Sequence, residues 1–275
     1  MKIYYINSQG KKLDFNSYPF KMLSSSSIFD YSWKYEFSTY NRVKRIKRTT
    51  KTFTVSIVVY GKTFEEYMSN LTELFEVLDK DCITETAGRL YCDEYYVKCF
   101  FAKSVKPKKV LGTLQTTVNF TVVIDGSGWI REKQYLIKPY MEGVSETTGG
   151  DFAHDYPMDY ARELPTKRIV NDGIAPVNFE LVIYGPCENP AITIGENLYK
   201  VNISLVAGEY LKINSIIKKA YKVKTNGEQI SVFNLRDRDN YIFEKIVPGI
   251  NDVSWDGTFG FDITILEERS EPKWI

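Results

Sequence analysis

Residues 51–78 read KTFTVSIVVYGKTFEEYMSNLTELFEVL. In the first ten residues apolar side chains alternate, which predicts a strand with one buried face; its inward positions are Phe53, Val55, Ile57 and Val59. The apolar residues that follow recur three or four positions apart, the pattern of an amphipathic helix; they are Phe64, Tyr67, Met68, Leu71, Leu74, Phe75 and Leu78. Thr63 and Glu66 have the spacing of a capping box at the start of this helix. The stretch therefore predicts a helix packed against a sheet.

The rest of the first half reads as short strands around that helix. Segments of β type lie at residues 89–91, 95–103 and 114–124, and another begins at Trp129. Between residues 138 and 173 the chain becomes irregular, with a Gly149–Gly150 pair and three prolines. Because domain boundaries fall in such linkers, we place one near Pro139, between a domain of residues 1–138 and a domain of residues 139–275.

The second half is almost wholly β in pattern. Apolar residues alternate at Val177, Phe179, Leu181 and Ile183, and similar short runs follow to the end of the chain. Asn226–Gly227 and Asp256–Gly257 are two-residue hairpin signals. Many short strands with regular turns indicate a β-sandwich or jelly roll. The predicted fold class is thus mainly β with one helix (α+β).

Composition excludes several classes of protein. The chain has 275 residues and a formal net charge of +1, whereas nucleic-acid binders usually carry a basic excess. No run of 18 apolar residues is present, so no membrane span is expected, and the N-terminus lacks the apolar core of a signal peptide. We therefore expect synthesis in a cytoplasm. The four cysteines, Cys82, Cys92, Cys99 and Cys187, are expected to be reduced thiols, with a Cys92–Cys99 disulfide as the alternative.

No enzymatic motif emerges. His154, the one histidine, sits in the irregular linker, and no G-x-S-x-G turn accompanies it. Dinucleotide- and phosphate-binding glycine motifs are absent, and the scattered cysteines do not form a zinc site. Acidic pairs could in principle serve a glycosidase but are typical of solvated surfaces; they are Asp93–Glu94, Asp237–Asp239 and Glu267–Glu268. The sequence predicts a protein that is not an enzyme, with no catalytic residue, cofactor or metal.

Five short blocks, in their order, resemble the distal tail protein family of long-tailed phages. They are GWIRE at 128–132, YPMDY at 156–160, NDGIAPVNFELVIYGPCENPAITI at 171–194, GEYLKINS at 208–215 and PGINDVSW at 248–255. Each block alone is weakly specific, and the likeness is strongest from residue 156 onward. Where this family often has an acidic residue, the chain has Asn214. Since such turn residues set geometry rather than chemistry, the departure bears little on the fold.

The resemblance implies a structural protein of the virion, located at the phage tail tip. It implies an N-terminal domain that closes into a hexameric hub ring and a galectin-like C-terminal sandwich that projects outward. The expected partners are other copies of the chain, the tail tube protein and a tail-associated fibre or lysin protein. DNA would pass only as cargo, and no membrane contact is expected.

Candidate interface residues lie between residues 16 and 48. Aromatic side chains are dense there and are more than a small domain easily buries; Tyr18, Phe20, Phe29, Tyr31 and Trp33 are the candidates, and the alternative is that they fill the core of their own domain. A basic run follows, in which Arg42, Arg45 and Arg48 join Lys44, Lys47 and Lys51. This run is interpreted as a solvated strand or hairpin, a subunit contact or a surface facing the DNA channel. As a contact, it would meet acidic residues of the next subunit such as Asp79, Asp81, Asp93 and Glu94.

A carbohydrate-binding adhesion module is the alternative function. Sugar sites usually pair a stacking aromatic side chain with nearby carboxylates or amides. Trp255 beside Asp256, and Tyr210 beside Glu209, have this composition, although core packing or turn support is the favoured interpretation of each. A soluble hydrolase is a more distant third hypothesis.

Overall fold

The computed structural model describes residues 1–48, 52–106, 113–126, 128–140 and 167–273. Within these ranges the chain forms one α-helix, one 3-10 turn at Phe233–Leu235 and strands, so the mainly β prediction with one helix is confirmed. None of the described helices is both long and apolar enough to cross a membrane. The chain divides into two compact units, Met1–Arg131 with Glu268–Ile275, and Glu132–Glu267. Pro139 lies inside the second unit.

The first unit is built on an antiparallel sheet. Its strands are β1 (Ile3–Ile6), β2 (Lys12–Asp14), β3 (Asn16–Ser17), β4 (Phe20–Met22), β7 (Thr52–Tyr60), β8 (Gly88–Cys92), β9 (Tyr95–Val105) and β10 (Gln115–Ile124), and β11 (Trp129–Ile137) begins in this unit. The order across the sheet is β2-β1-β8-β9-β10-β7-β4-β3, and β11 also pairs with β9. A separate pair, β5 (Trp33–Phe37) with β6 (Val43–Arg48), stands apart from this sheet.

The α-helix of the described residues, α1 (Phe64–Ile83), packs against β7 and β9, in agreement with the predicted helix on a sheet. Thr63 caps it, since the Thr63 side chain accepts a hydrogen bond from the Glu66 backbone N–H. The reciprocal half of the capping box differs, because the Glu66 carboxylate accepts from the Lys62 N–H instead. Gly61 lies so close to the Tyr67 backbone that a Cβ there would clash, so only glycine permits this tight entry into the helix.

The buried face of α1 differs from the predicted apolar face at both ends of the helix. Leu74, Val77 and Leu78 are buried in one cluster with Val55 and Ile57 of β7. Phe64, the first residue of the predicted apolar face, is exposed. Asp81 is fully buried, so its expected role as a surface acid facing a neighbouring subunit is wrong. Its carboxylate accepts hydrogen bonds from the Tyr5 hydroxyl and the Ser8 backbone N–H, and these bonds compensate its burial.

The second unit has two large sheets around one core and a separate two-stranded sheet. Its strands are β12 (Lys167–Asn171), β13 (Asn178–Tyr184), β14 (Cys187–Glu188), β15 (Ala191–Ile194), β16 (Asn197–Lys200), β17 (Ser204–Leu205), β18 (Tyr210–Asn214), β19 (Lys219–Val223), β20 (Gln229–Ser231), β21 (Gly249–Trp255) and β22 (Phe261–Arg269). One large sheet has the order β20-β19-β18-β13-β22 and the other β12-β21-β15-β16, while β14 pairs with β17. Side chains from both sheets, such as Phe179 and Ile263 of one and Ile192 and Val253 of the other, form a single buried cluster.

One of the two predicted hairpins is present. Asn226–Gly227 joins β19 to β20, and Gly227 has the positive φ of +83° that such a turn needs. The hairpin predicted at Asp256–Gly257 is wrong, because β21 and β22 on either side of it belong to different sheets. The Asp256 carboxylate instead accepts a hydrogen bond from the Thr258 N–H, and this turn carries the chain from one sheet to the other.

Candidate assembly surface

The β5–β6 hairpin is the most exposed apolar element of the first unit. Among the described residues its strands pair only with each other, and a turn at residues 38–42 joins them. In that turn the Ser38 N–H donates to the Arg42 carbonyl, and Asn41 takes a left-handed conformation with a φ of 55°. Every residue of β5 is exposed, which is unusual for a strand with three aromatic residues.

The two faces of the hairpin differ in chemistry. Residues opposite each other in an antiparallel pair project to the same face. Tyr35 lies opposite Ile46 and Phe37 lies opposite Val43, so these four residues share one face. The Tyr35 and Phe37 rings are in edge contact with centroids 5.4 Å apart, and Tyr35 is 63% exposed. Glu36 and Arg45 pair on the opposite, charged face.

The basic run of the sequence forms β6 and the turn before it. Arg42, Lys44 and Arg45 are exposed, in agreement with a solvated hairpin. Arg48 ends β6 opposite Trp33, and Lys51 lies outside the described residues.

The other aromatic candidates divide between surface and core. Tyr31, like Trp33, is exposed. The Tyr18 ring is exposed while its hydroxyl is hydrogen-bonded to the Glu66 carboxylate, a bond that raises the pKa of Tyr18. Phe20 is only 3% exposed and fills the core of its own unit, so it is removed from the candidates. Phe29 packs at the edge of the same core, where its ring stacks on Trp129 with centroids 5.9 Å apart.

The aromatic residues considered for a sugar site are not brought together. Trp255 is 7% exposed, its indole N–H donates to the Phe259 carbonyl at 3.0 Å, and its ring stacks on Tyr140. It therefore offers no free ring face to a sugar. Tyr210 is half-buried on β18, in the other sheet, beside Tyr184. The Glu209 side chain near it forms an ion pair with Lys222.

The chemistry of the cysteines fits reduced structural thiols. All four are free. Cys92 and Cys99 do not form the alternative disulfide, because the β8–β9 register pairs Cys92 with Tyr95 and Cys99 with Gly88, at opposite ends of the ladder. Burial raises the pKa of Cys92 and of Cys187 to about 11, and it also raises the pKa of Cys82 and Cys99. Such thiols are poor nucleophiles at neutral pH.

The acidic pairs are committed to local contacts. The Asp93 carboxylate accepts a hydrogen bond from the Lys2 backbone N–H. The Glu94 carboxylate oxygen Oε2 lies 3.8 Å from Nη1 of Arg131. Hydrogen bonding from Asn240 lowers the pKa of Asp237, the opposite of what a catalytic acid needs. Glu267 is buried. In the part of the chain that the structure describes, no group of three or more His, Cys, Asp or Glu residues could hold a metal ion. His154 and residues 156–160 lie outside the described residues.

Solved structures of phage baseplate proteins share this architecture over the whole chain. One chain of the phage P2 baseplate, in its activated conformation with calcium, aligns with a TM-score of 0.63 at 13% identity, covering 98% of this chain and 99% of that one. A chain of the strontium form aligns with a TM-score of 0.64 at 13% identity, covering 99% and 100%. The Dit protein of phage SPP1, described as a paradigm of the hub adsorption apparatus in phages infecting Gram-positive bacteria, gives a TM-score of 0.59 at 11% identity, covering 98% of both chains.

The chain has the fold of phage baseplate and Dit hub proteins. The likeness covers both units, so it extends beyond a single common sheet arrangement. No protein-family model matches the sequence, and no curated protein matches it. With identities of 11–13%, the comparison rests on fold, and function has to be argued from surfaces.

Proposed function

We propose that the chain is a structural, non-enzymatic component of a phage tail tip, a distal tail protein that forms a hub ring. The observation that carries this proposal is the full-length likeness to phage baseplate and Dit proteins, which covers at least 98% of each chain compared. Shared architecture over two consecutive units is far more specific than a shared β-sandwich alone.

The exposed β5–β6 hairpin supports self-assembly. A two-stranded hairpin is marginal in stability unless another element covers it. Here Tyr35, Phe37 and Ile46 expose apolar surface on one face, as expected of a protein that completes its structure in an assembly. In this proposal the domain of residues 1–138 forms the ring, which has six copies.

The remaining parts of the proposal follow from a position at the tail tip. The domain of residues 139–275 is a galectin-like sandwich that carries contacts to neighbouring tail proteins. The ring joins the tail tube protein to a tail-associated fibre or lysin protein, and DNA passes through it only as cargo. The chain is made in the cytoplasm of the bacterial host, becomes part of the virion and uses no cofactor.

Carbohydrate binding is less well supported. Its leading aromatic residue, Trp255, is occupied by packing on Tyr140 and by its hydrogen bond to Phe259. A hub role needs no such site.

The test is the mass and shape of the purified chain. We expect light scattering at increasing concentration to show a species of about six copies, and negative-stain images to show a ring. Where the chain alone stays monomeric, the same measurement is made with the tail tube protein present. Monomers under both conditions, without rings in images of the assembled particle, would contradict the proposal.

A further inference from the structure

The apolar face of the β5–β6 hairpin requires a partner with a recess. The face carries three aromatic side chains, Trp33, Tyr35 and Phe37, and the last two lie opposite Ile46 and Val43. Tyr35, Phe37, Val43 and Ile46 are all exposed, and within the described residues the hairpin belongs to no larger sheet. Large aromatic side chains at protein interfaces usually insert into concave apolar sites.

The first unit has such a recess on the outer side of α1. Leu71 and Phe75 line a groove of about 630 Å³ that continues to Ile83 at the end of the helix. Ile83 is 77% exposed, although it is a large aliphatic residue. Glu76 and Asp79 supply acidic groups to the groove, and Lys80 and Lys106 supply basic ones; the Lys106 ammonium lies 3.9 Å from the centre of the Phe75 ring.

The two elements carry opposite net charges. Residues 33–48 contain six lysines and arginines and one glutamate, a net charge of +5. The helix Phe64–Ile83 contains six carboxylates and one lysine, a net charge of −5. Only Asp81 among these carboxylates is buried, so the solvent side of α1 remains acidic even when Lys106 is counted. In a chain of net charge +1, this separation favours contact between the hairpin and the helix of another molecule.

We infer that the β5–β6 hairpin of one copy inserts its apolar face into the α1 groove of a second copy of this chain. This inference rests on the proposed hub function and names the two surfaces that would form its ring. Because hairpin and groove are different surfaces, the contact is heterologous, and each copy can accept one neighbour and donate to another. Such a contact closes into a ring when its rotation permits.

Two double variants test the pairing. The hairpin variant combines Tyr35→Asp with Ile46→Asp, and the groove variant combines Glu76→Lys with Ile83→Asp. All four positions are exposed, so we expect melting temperatures close to that of the wild type. Ile174→Asp combined with Ile250→Asp, two exposed positions in the second unit, is the matched control.

We expect sedimentation to show oligomers for the wild type and the control but monomers for each test variant. An equimolar mixture of the two test variants should form dimers and nothing larger, because only one intact hairpin and one intact groove meet in each pair. If each test variant still sediments as an oligomer, or if the mixture of the two stays monomeric, the hairpin–groove pairing is wrong. The hub proposal would be unaffected by either result. A wild type that is monomeric alone and with the tail tube protein would contradict both.

Discussion

The Tyr5 hydroxyl donates a hydrogen bond to the Asp81 carboxylate in the core of the first unit. This contact joins β1, near the N-terminus, to the last turn of α1. Tyr5→Phe keeps the ring but leaves a buried carboxylate oxygen without its donor, which should cost about 1–3 kcal/mol in the free energy of unfolding. Urea denaturation measures the difference, and Tyr31→Phe, on an exposed ring, should unfold like the wild type.

The same hydroxyl should make stability sensitive to alkaline pH. Burial, followed by the nearby Cys99 and the hydrogen bond to Asp81, raises the pKa of Tyr5 well above its ordinary value. A raised pKa means that the folded state favours the neutral phenol. The stabilisation that depends on the neutral Tyr5 hydroxyl is therefore complete below the pKa of tyrosine in the unfolded chain, about 10, and is lost as the pH rises above that value. Tyr5→Phe should therefore unfold with a shallower loss of stability between about pH 9 and pH 11. An unchanged slope would contradict this assignment.

Residues 81 and 255 show how far single positions could be read from the sequence. Asp81 follows Leu74 and Leu78 at helical spacing, so the periodicity places it on the buried face, but its charge favoured the surface. The partner that permits its burial, Tyr5, is 76 residues away and is invisible to local pattern. Trp255 beside Asp256 has the composition of a sugar site, yet its burial depends on the stacked ring of Tyr140, which lies far away in the sequence, and on Phe261 of the next strand.

Helix α1 shows what can be predicted at the scale of an element. Its start depends on local chemistry, the Thr63 side chain accepting from the Glu66 N–H at 3.2 Å, and such chemistry is written in adjacent residues. Thr63→Ala should cost about 1 kcal/mol of unfolding free energy, because one N–H at the helix start loses its acceptor. Ser69→Ala, at an exposed position inside the same helix, is the control and should be nearly neutral. Equal stabilities for the two variants in urea denaturation would argue against the cap.

One predicted hairpin is confirmed and the other is wrong, and the difference has a physical reason. Asn226–Gly227 lies between strands that share a sheet, and the turn alone determines that pairing. Asp256–Gly257 lies between β21 and β22, which pair with strands distant in sequence, so long-range pairing overrides the turn signal. The β5–β6 hairpin was predicted only as one interpretation of its basic half. Its pairing with Trp33–Phe37 was not predicted, although Trp33, Tyr35 and Phe37 alternate with charged residues as in an amphipathic strand, because local sequence does not show that the aromatic face stays exposed.

For the whole molecule, the order of short sequence blocks predicted an architecture that no single block specifies. NDGIAPVNFELVIYG at 171–185 contains β13, and PGINDVSW at 248–255 contains β21, one strand from each large sheet of the second unit. These blocks combine alternating core residues with turn residues, and both kinds of signal are local in the sequence. Surfaces are less constrained, so the contacts of the hairpin and of α1 had to be found in the structure.

The distribution of charge over the whole molecule leads to a prediction about assembly kinetics. The chain is nearly neutral, but residues 33–48 carry +5 and the helix Phe64–Ile83 carries −5. If these elements meet between copies, their attraction acts mainly on the encounter, and apolar contact holds the product. Raising the ionic strength from about 0.1 M to about 1 M shortens the screening length from about 10 Å to about 3 Å. The association rate constant of soluble chain on immobilised chain, measured by surface plasmon resonance, should then fall by roughly tenfold or more. Dissociation should change much less, because Tyr35 and Ile46 remain in an apolar contact.

Charge variants test the same attraction. Arg42→Glu combined with Arg45→Glu should slow association at low salt and weaken the dependence of the association rate on salt. Lys245→Glu, which changes an exposed charge in the second unit, should leave the association rate and its salt dependence as in the wild type. Association that is equally fast at both salt concentrations would show that the separated charges play no part in bringing the copies together.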